Sequence, residues 1–248
     1  MGSATCAAVA ADPELSLVAA VGASAAGQTV CGVTIASELR SFADARCDVV
    51  VDFTTADACR VTLPWLAMHG VHAIVGTTGL DATDLESLRS TFGDGPAHCL
   101  IAPNFAISAV LMMRFAEIAA PYFDTAEVIE YHHDRKIDAP SGTAVATADR
   151  MAAARGEAPW APDPTEREVL PGARGGVGGG VAGVHVHSVR MRGMVAHQDV
   201  IFGAAGQSLT IRQDSYDRES FMPGVVLACK CIADHPGVMM GLDGYLDI

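Results

Sequence analysis

Lysine is almost missing from this chain of 248 residues: Lys136 and Lys230 are the only two, and arginine carries the remaining positive charge. Positive charge as a whole is scarce, with 16 Lys and Arg against 29 Asp and Glu and a formal net charge of -13. No basic stripe exists that could displace counterions from a phosphate backbone, so nucleic acid is excluded as a partner. An anionic membrane surface is excluded on the same ground. No apolar run reaches the eighteen or so residues that a spanning helix needs. The opening residues lack the basic start of a secretory leader. The expectation is a cytoplasmic protein with no membrane partner.

Several chemical signatures are missing too. The seven cysteines (Cys6, Cys31, Cys47, Cys59, Cys99, Cys229, Cys231) are odd in number and form no C-x-x-C. Cys229-Lys230-Cys231 is too short for a zinc knuckle. They read as reduced, mostly buried thiols, with no metal site. No G-x-S-x-G elbow supports a Ser-His-Asp hydrolase. No phosphate-binding P-loop occurs, and no internal repeat.

What is present is an α/β pattern. Half of the residues are hydrophobic and 25 are glycine, which suits a tightly packed domain. Three short apolar runs, 48–51, 71–75 and 98–101, each stop at a polar or glycine-rich turn. The turns are Asp52-Phe53-Thr54-Thr55, Gly76-Thr77-Thr78-Gly79 and Ala102-Pro103-Asn104-Phe105. Continuously apolar strands belong to a parallel sheet covered on both faces. Helical stretches at 56–69 (apolar at Ala58, Val61, Leu66 and Met68) and 82–92 lie between them, which is the βαβ pattern. Ligands bind such sheets where strands end, so the three turns share one rim. Gly76 and Gly79 allow close backbone approach there, and Thr77 and Thr78 offer hydroxyls. A helix capped by Asn104 follows, with Ile107, Val110, Leu111, Phe115 and Ile118 as its expected buried stripe.

Beyond Pro121 the pattern changes. Residues 126–133, 183–192, 197–202 and 208–213 read as strands of a more open sheet. A proline-rich loop (156–164) and a glycine-dense loop (170–183) interrupt them. Residues 220–233 read as a helix returning to the first layer, so a second unit is inserted into, or hung from, the α/β unit. The start is unusual. Residues 6–11 look like the end of a helix and 14–21 like a strand. A dinucleotide fold opens with a strand and a glycine turn, so roughly ten residues are expected ahead of Met1.

The most informative segment is Glu130-Tyr131-His132-His133-Asp134-Arg135-Lys136-Ile137-Asp138-Ala139-Pro140-Ser141-Gly142-Thr143. Successive strand residues point to opposite sides, so His132 and His133 cannot share a task unless the strand ends between them. One can exchange a proton with a substrate, since imidazole titrates near neutrality, while the other holds a carboxylate. Lys136 can add a positive charge or give a proton. Pro140-Ser141-Gly142-Thr143 opens a helix, and the first-turn N–H groups of Gly142 and Thr143, with the Thr143 hydroxyl, are expected to form an anion site. The ligand that fits is a small dicarboxylate needing a proton. Arg174, Arg190, Arg192, Arg212 and Arg218 are further cations that could complete its site.

This segment, extended to Ala144, resembles the E-x-H-H-x-x-K-x-D-A-P-S-G-T-A signature of the dihydrodipicolinate reductase family. The three strand-end turns resemble that family's other landmarks in order, as do His197 to Phe202 and Phe221-Met222-Pro223-Gly224-Val225. The resemblance implies a Rossmann-type parallel-sheet domain, 1–105 plus 216–248, and an inserted α+β mixed-sheet domain, 106–215, for substrate binding and oligomerisation. It implies a homotetramer using NADH or NADPH to reduce 4-hydroxy-tetrahydrodipicolinate in the diaminopimelate route to lysine. It implies that His132 and Lys136 are catalytic, and that His133, Ser141, Gly142 and Thr143 hold substrate. It implies further that Gly76, Thr77, Thr78, Ala102, Pro103, Asn104 and Phe105 line the cofactor site. The family opens with a strand and G-x-x-G-x-M-G, of which Met1-Gly2 matches the last two letters. The segment ending near Val21-Gly22 lacks an acidic residue for the adenine ribose, so the sequence does not choose between NADH and NADPH. Alternatives are a dicarboxylate-binding homologue that cannot use the cofactor, and a reductase of a related imino dicarboxylate.

Overall fold

The computed structural model describes residues 1–93, 95–176 and 183–246. The chain divides into two compact units, Met1–Ile107 with Arg218–Ile248, and Ser108–Asp217.

The first unit runs α1 (Gly2–Ala11), β1 (Ala20–Val21), β2 (Thr29–Val30), β3 (Val33–Ala36), α2 (Arg40–Asp44), β4 (Val49–Asp52), α3 (Ala56–Met68), β5 (His72–Val75), α4 (Ala82–Phe92) and β6 (Cys99–Ile101). After the second unit it resumes with α7 (Met222–Cys231) and β11 (Val238–Met240). The main sheet is parallel, in the order β11-β6-β5-β4. Its strands are short and apolar because both faces are covered. Val50, Ala73, Val75, Cys99 and Ile101 pack with Leu63 and Leu66 of α3 and with Leu88 and Phe92 of α4. Sequence dictates where the helices begin. The Thr55 hydroxyl accepts from the Ala58 N–H at 3.3 Å, and Asp81 and Asp84 form a reciprocal capping box at 2.9 Å. Arg60 then ties α3 to α4 through both oxygens of Asp84.

The buried face of α3 is Cys59, Thr62, Leu63 and Leu66, whereas Val61 and Met68 are exposed. The apolar residues of that helix lie on more than one side, and contact with the sheet decides which are covered. One expectation, the strand over 14–21, changes here. It shrinks to Ala20–Val21, the only part hydrogen-bonded to a neighbouring strand. A cleft of about 380 Å³ lies between residues 15–21 and 48–51, with Thr5, Cys6 and Val9 of α1 beside it. The short β1-β3-β2 sheet is thus separated from β4. The strands over 29–36 and 238–240 and the short α2 were not legible in the pattern.

The second unit holds most of α5 (Ile107–Ala119), then β7 (Thr125–His132), α6 (Gly142–Arg155), β8 (His185–Arg190), β9 (Ala196–Ala204) and β10 (Gln207–Ser215). Its sheet is mixed, in the order β10-β9-β7-β8, with only the β7–β8 pair parallel. In this register Ala126, Val128 and Glu130 share a face with Val186, Gln198, Val200 and Phe202. Helix α6 packs on β7 with Ala144, Thr147, Ala148 and Met151 buried, and Gln198 donates to the Thr147 hydroxyl at 2.8 Å. The opposite face carries half-buried polar residues. Tyr131 donates to Asp199 at 3.0 Å, and Arg212 pairs with Asp199 and Asp214. The expected stripe of α5 is corrected. Ala109, Val110, Met112, Met113 and Ala116 are buried, while Phe115 and Ile118 are exposed. Phe115 and Ile118 lie on the side of the helix that carries the Arg114–Glu117 pair, and the small and flexible residues of the other side face inward. Of the glycine-dense loop, residues 177–182 lie outside the described residues.

All seven cysteines are free thiols. Only Cys59 and Cys99 are fully buried, so the expectation of mostly buried thiols is too strong. Among the described residues no helix is long and apolar enough to cross a membrane, and no metal-ligating cluster forms.

Candidate active site

Strand β7 ends at His132, between the two histidines. His132 therefore keeps the strand's alternation and stands on the same face as Glu130, two residues earlier. His133 already belongs to the following turn. Glu130 is fully buried, with its Oε2 2.5 Å from His132 Nδ1. Arg190 of β8 donates to Glu130 from both terminal nitrogens, each at 2.7 Å, and the Ser141 N–H donates to Oε1 at 3.1 Å. Burial pushes the Glu130 carboxyl up, but the hydrogen bonds from His132 and Arg190 outweigh it and hold it at about 2. Glu130 is therefore a carboxylate at any working pH.

His133 is tied differently. Its Nδ1 accepts from the Arg135 N–H at 3.2 Å. The Lys136 ammonium is held by both oxygens of Asp138, at 2.8 and 2.7 Å, and the Asp138 carbonyl accepts from Arg190 at 2.7 Å. Ser141 caps α6, its hydroxyl accepting from the Ala144 N–H at 3.2 Å. That hydroxyl and the Ser141 N–H are thus both engaged within the protein. Beyond the cap, a side chain added at Gly142 would meet only open space. Hydrogen bonds thus link His132, through Glu130 and Arg190, to the start of α6 at Ser141 and to Asp138, which holds Lys136; His133 adjoins His132 in the chain.

Four of the five candidate arginines are paired with carboxylates. Arg190 serves Glu130, Arg174 pairs with Glu127 and Asp163, Arg192 with Asp134, and Arg212 with Asp199 and Asp214. Sequence reasoning gave Glu130 no role and offered Arg190 only as a cation for the ligand, so it missed the clip between them. The available signal was the two-residue spacing of Glu130 and His132 on one strand.

In the first unit, β4, β5 and β6 end in register at Asp52, Val75 and Ile101, which puts their three turns on one rim. Gly76 is glycine because a Cβ there would lie 2.0 Å from the Phe53 ring. Phe53 in turn meets Phe105 edge-on, with ring centroids 5.6 Å apart. Gly79 has φ of +92°, where glycine carries no steric penalty. The buried Thr77 hydroxyl has no nitrogen or oxygen partner, only the Cys59 thiol near it. The Asn104 side-chain Oδ1 accepts from the Ala106 N–H at 2.9 Å and shapes the third turn. An open rim with exposed turn backbone at Thr78 and Gly79 fits a polar heterocycle such as nicotinamide.

Comparison with known proteins gives the chain's family. Residues 1–105 match the profile described as "Dihydrodipicolinate reductase, N-terminus", and residues 108–246 match "Dihydrodipicolinate reductase, C-terminus". The chain is 56% identical over 214 residues to the 4-hydroxy-tetrahydrodipicolinate reductase of Corynebacterium urealyticum, covering 85% of each. It is 48% identical over 251 residues to the enzyme of that name from Cutibacterium acnes, covering 100% of this chain and 95% of the relative. A solved structure, the dipicolinate-bound dihydrodipicolinate reductase from Paenisporosarcina sp. TG-14, superposes with a TM-score of 0.88 at 36% identity, covering 98% of this chain and 94% of that one. Both halves of the profile and relatives spanning nearly the whole chain lead to one conclusion: this chain belongs to the dihydrodipicolinate reductase family.

Proposed function

We propose that the chain reduces 4-hydroxy-tetrahydrodipicolinate to tetrahydrodipicolinate with NADH or NADPH, in the diaminopimelate route to lysine. The observation that carries this reading is the cluster of His132, His133, Lys136 and the open start of α6, beside a buried carboxylate that fixes His132. The reaction replaces a hydroxyl by hydrogen, so water leaves while a hydride and a proton are added. A reduced nicotinamide supplies the hydride when bound. Gly76, Thr77, Thr78, Ala102, Pro103, Asn104 and Phe105 are the residues that would hold it.

The proton is the protein's part. His132 Nε2, the ring nitrogen not engaged by Glu130, gives a proton at the reacting centre, and Lys136 is the second donor. One substrate carboxylate lies against the His133 ring, and the other against the N–H groups of Gly142 and Thr143, where the α6 dipole favours negative charge. Ser141 contributes by holding that helix start in place.

The polar face of the second unit's sheet, with Tyr131, Asp199, Arg212 and Asp214, suits burial against further copies, and a homotetramer in the cytoplasm is the assembly this reading implies. Light scattering on the eluted protein measures the mass, and a monomer at micromolar concentration contradicts it. The activity itself is tested by cofactor oxidation on addition of substrate, compared between the natural chain, His132→Gln and Lys136→Met. Each variant is expected to stay folded and lose on the order of a hundredfold in turnover.

A further inference from the structure

We propose that Glu130 is a positioning residue that fixes His132 in the tautomer protonated at Nδ1, while the Arg135 N–H fixes the adjacent His133 in the opposite tautomer, so that the two neighbouring rings take different tasks. This rests on the reading of His132 as the proton-handling residue.

The argument is one of donors and acceptors. Glu130 is ionised and can only accept, so the 2.5 Å contact requires the hydrogen on His132 Nδ1. Nε2 of His132 is then the nitrogen that gains and loses a proton. At His133 the geometry is reversed. A backbone N–H can only donate, so the Arg135 N–H at 3.2 Å requires a lone pair on His133 Nδ1. The hydrogen of the neutral ring then sits on Nε2, which is a donor and suits a carboxylate oxygen. Identical side chains one residue apart become a proton carrier and an anion holder through what each Nδ1 meets.

Glu130 is itself held too firmly to follow the ring. Both its oxygens are engaged by Arg190, and Oε1 also takes the Ser141 N–H. The guanidinium is braced in turn by the carbonyls of Val189 and Asp138, 2.8 and 2.7 Å away. Asp138 is the residue whose carboxylate holds Lys136. One clip of a half-buried guanidinium on a buried carboxylate therefore sets the stations of both proton-handling side chains. A plain structural ion pair joining β7 to β8 would need Arg190 and Glu130, but it would not need the contact to His132.

The test is nitrogen-15 NMR of histidine-labelled full-length protein at a pH where the rings are neutral, with His132→Gln and His133→Gln used to assign the signals. The wild-type protein is expected to show the Nδ1–H form at position 132 and the Nε2–H form at position 133. In Glu130→Gln, where the amide can donate as well as accept, the His132 signal shifts toward the Nε2–H form. Its kcat falls ten- to a hundredfold with KM changed less than about threefold, and Glu130→Asp recovers part of the loss. Adding Glu130→Gln to His132→Gln lowers turnover no further. The Nε2–H form at His132 in the wild-type protein overturns the proposal, whether or not any variant folds. So does a folded Glu130→Gln with unchanged kcat. Full activity in His132→Gln would instead remove the functional reading on which the proposal rests, and the tautomer signals would still stand as measured.

Discussion

Asp138 grips Lys136 with both carboxylate oxygens, at 2.8 and 2.7 Å, two residues along the same turn. The hydrogen bonds from Lys136 hold the Asp138 carboxyl below its ordinary range. The pair is partly exposed, so its worth to folding is small. Its value is orientation. Asp138→Asn is expected to leave the unfolding midpoint within experimental error and to lower kcat/KM by about tenfold, because the ammonium must be ordered anew at each turnover. Steady-state kinetics beside urea unfolding separates the two effects; equal loss in both would make Asp138 a folding residue.

Ser141 offers a cleaner stability test. Its hydroxyl caps α6, while its backbone N–H, which any residue except proline retains, goes to Glu130. Ser141→Ala is expected to cost about 1 kcal/mol in urea unfolding. Glu130 keeps its backbone bond, so the His132 tautomer is expected to be unchanged.

Gly224 of α7 connects packing to the rim. A Cβ there would lie 2.1 Å from the Phe105 carbonyl oxygen and 2.8 Å from Leu242. Gly224→Ala must therefore push the turn over 102–105 away from the helix. The expected cost is about 1–3 kcal/mol, together with weaker NADH or NADPH binding by calorimetry. Unchanged affinity in a destabilised protein would show that this turn does not line the cofactor site.

His72 and His98 stitch the starts of β5, β6 and β11. His72 Nδ1 accepts from the His98 N–H at 2.9 Å, and His98 Nδ1 accepts from the Gly237 N–H at 3.2 Å. Burial, with the neighbouring His98, pushes the His72 pKa below its ordinary value, against the opposing pull of Asp48. The unfolded chain therefore binds this proton more readily than the folded one. Stability from His72 is complete above the ordinary imidazole pKa of about 6.5 and declines as pH falls below it. Melting temperatures measured from neutral to mildly acid pH are expected to fall less steeply in His72→Gln than in the natural chain. Parallel curves would contradict the assignment.

The parts of the fold legible in sequence are those where local chemistry and burial agree. Helix α4 was expected over 82–92 and is found there, because Asp81 and Asp84 fix its start whatever surrounds it. The parallel strands were legible because burial on both faces leaves a continuous apolar run. In α5 the apolar residues outnumber one face, and the outward side is marked only by Arg114 and Glu117, which pair beside the exposed Phe115 and Ile118. Strands of two residues, such as β1 and β2, exist only through their partners and carry no period. At the active site the histidines, the lysine and the helix start announced themselves by residue type. Arg190 did not, since it reaches Glu130 across a strand pair joined sixty residues later in the chain. Only tertiary register shows that contact.

The most direct measurement is oxidation of NADH or NADPH by the purified chain on addition of 4-hydroxy-tetrahydrodipicolinate. The account predicts saturable turnover that collapses on the order of a hundredfold in His132→Gln and in Lys136→Met, with folding retained in both. Turnover unaffected by either substitution, or no substrate-dependent oxidation by the natural chain, would contradict it.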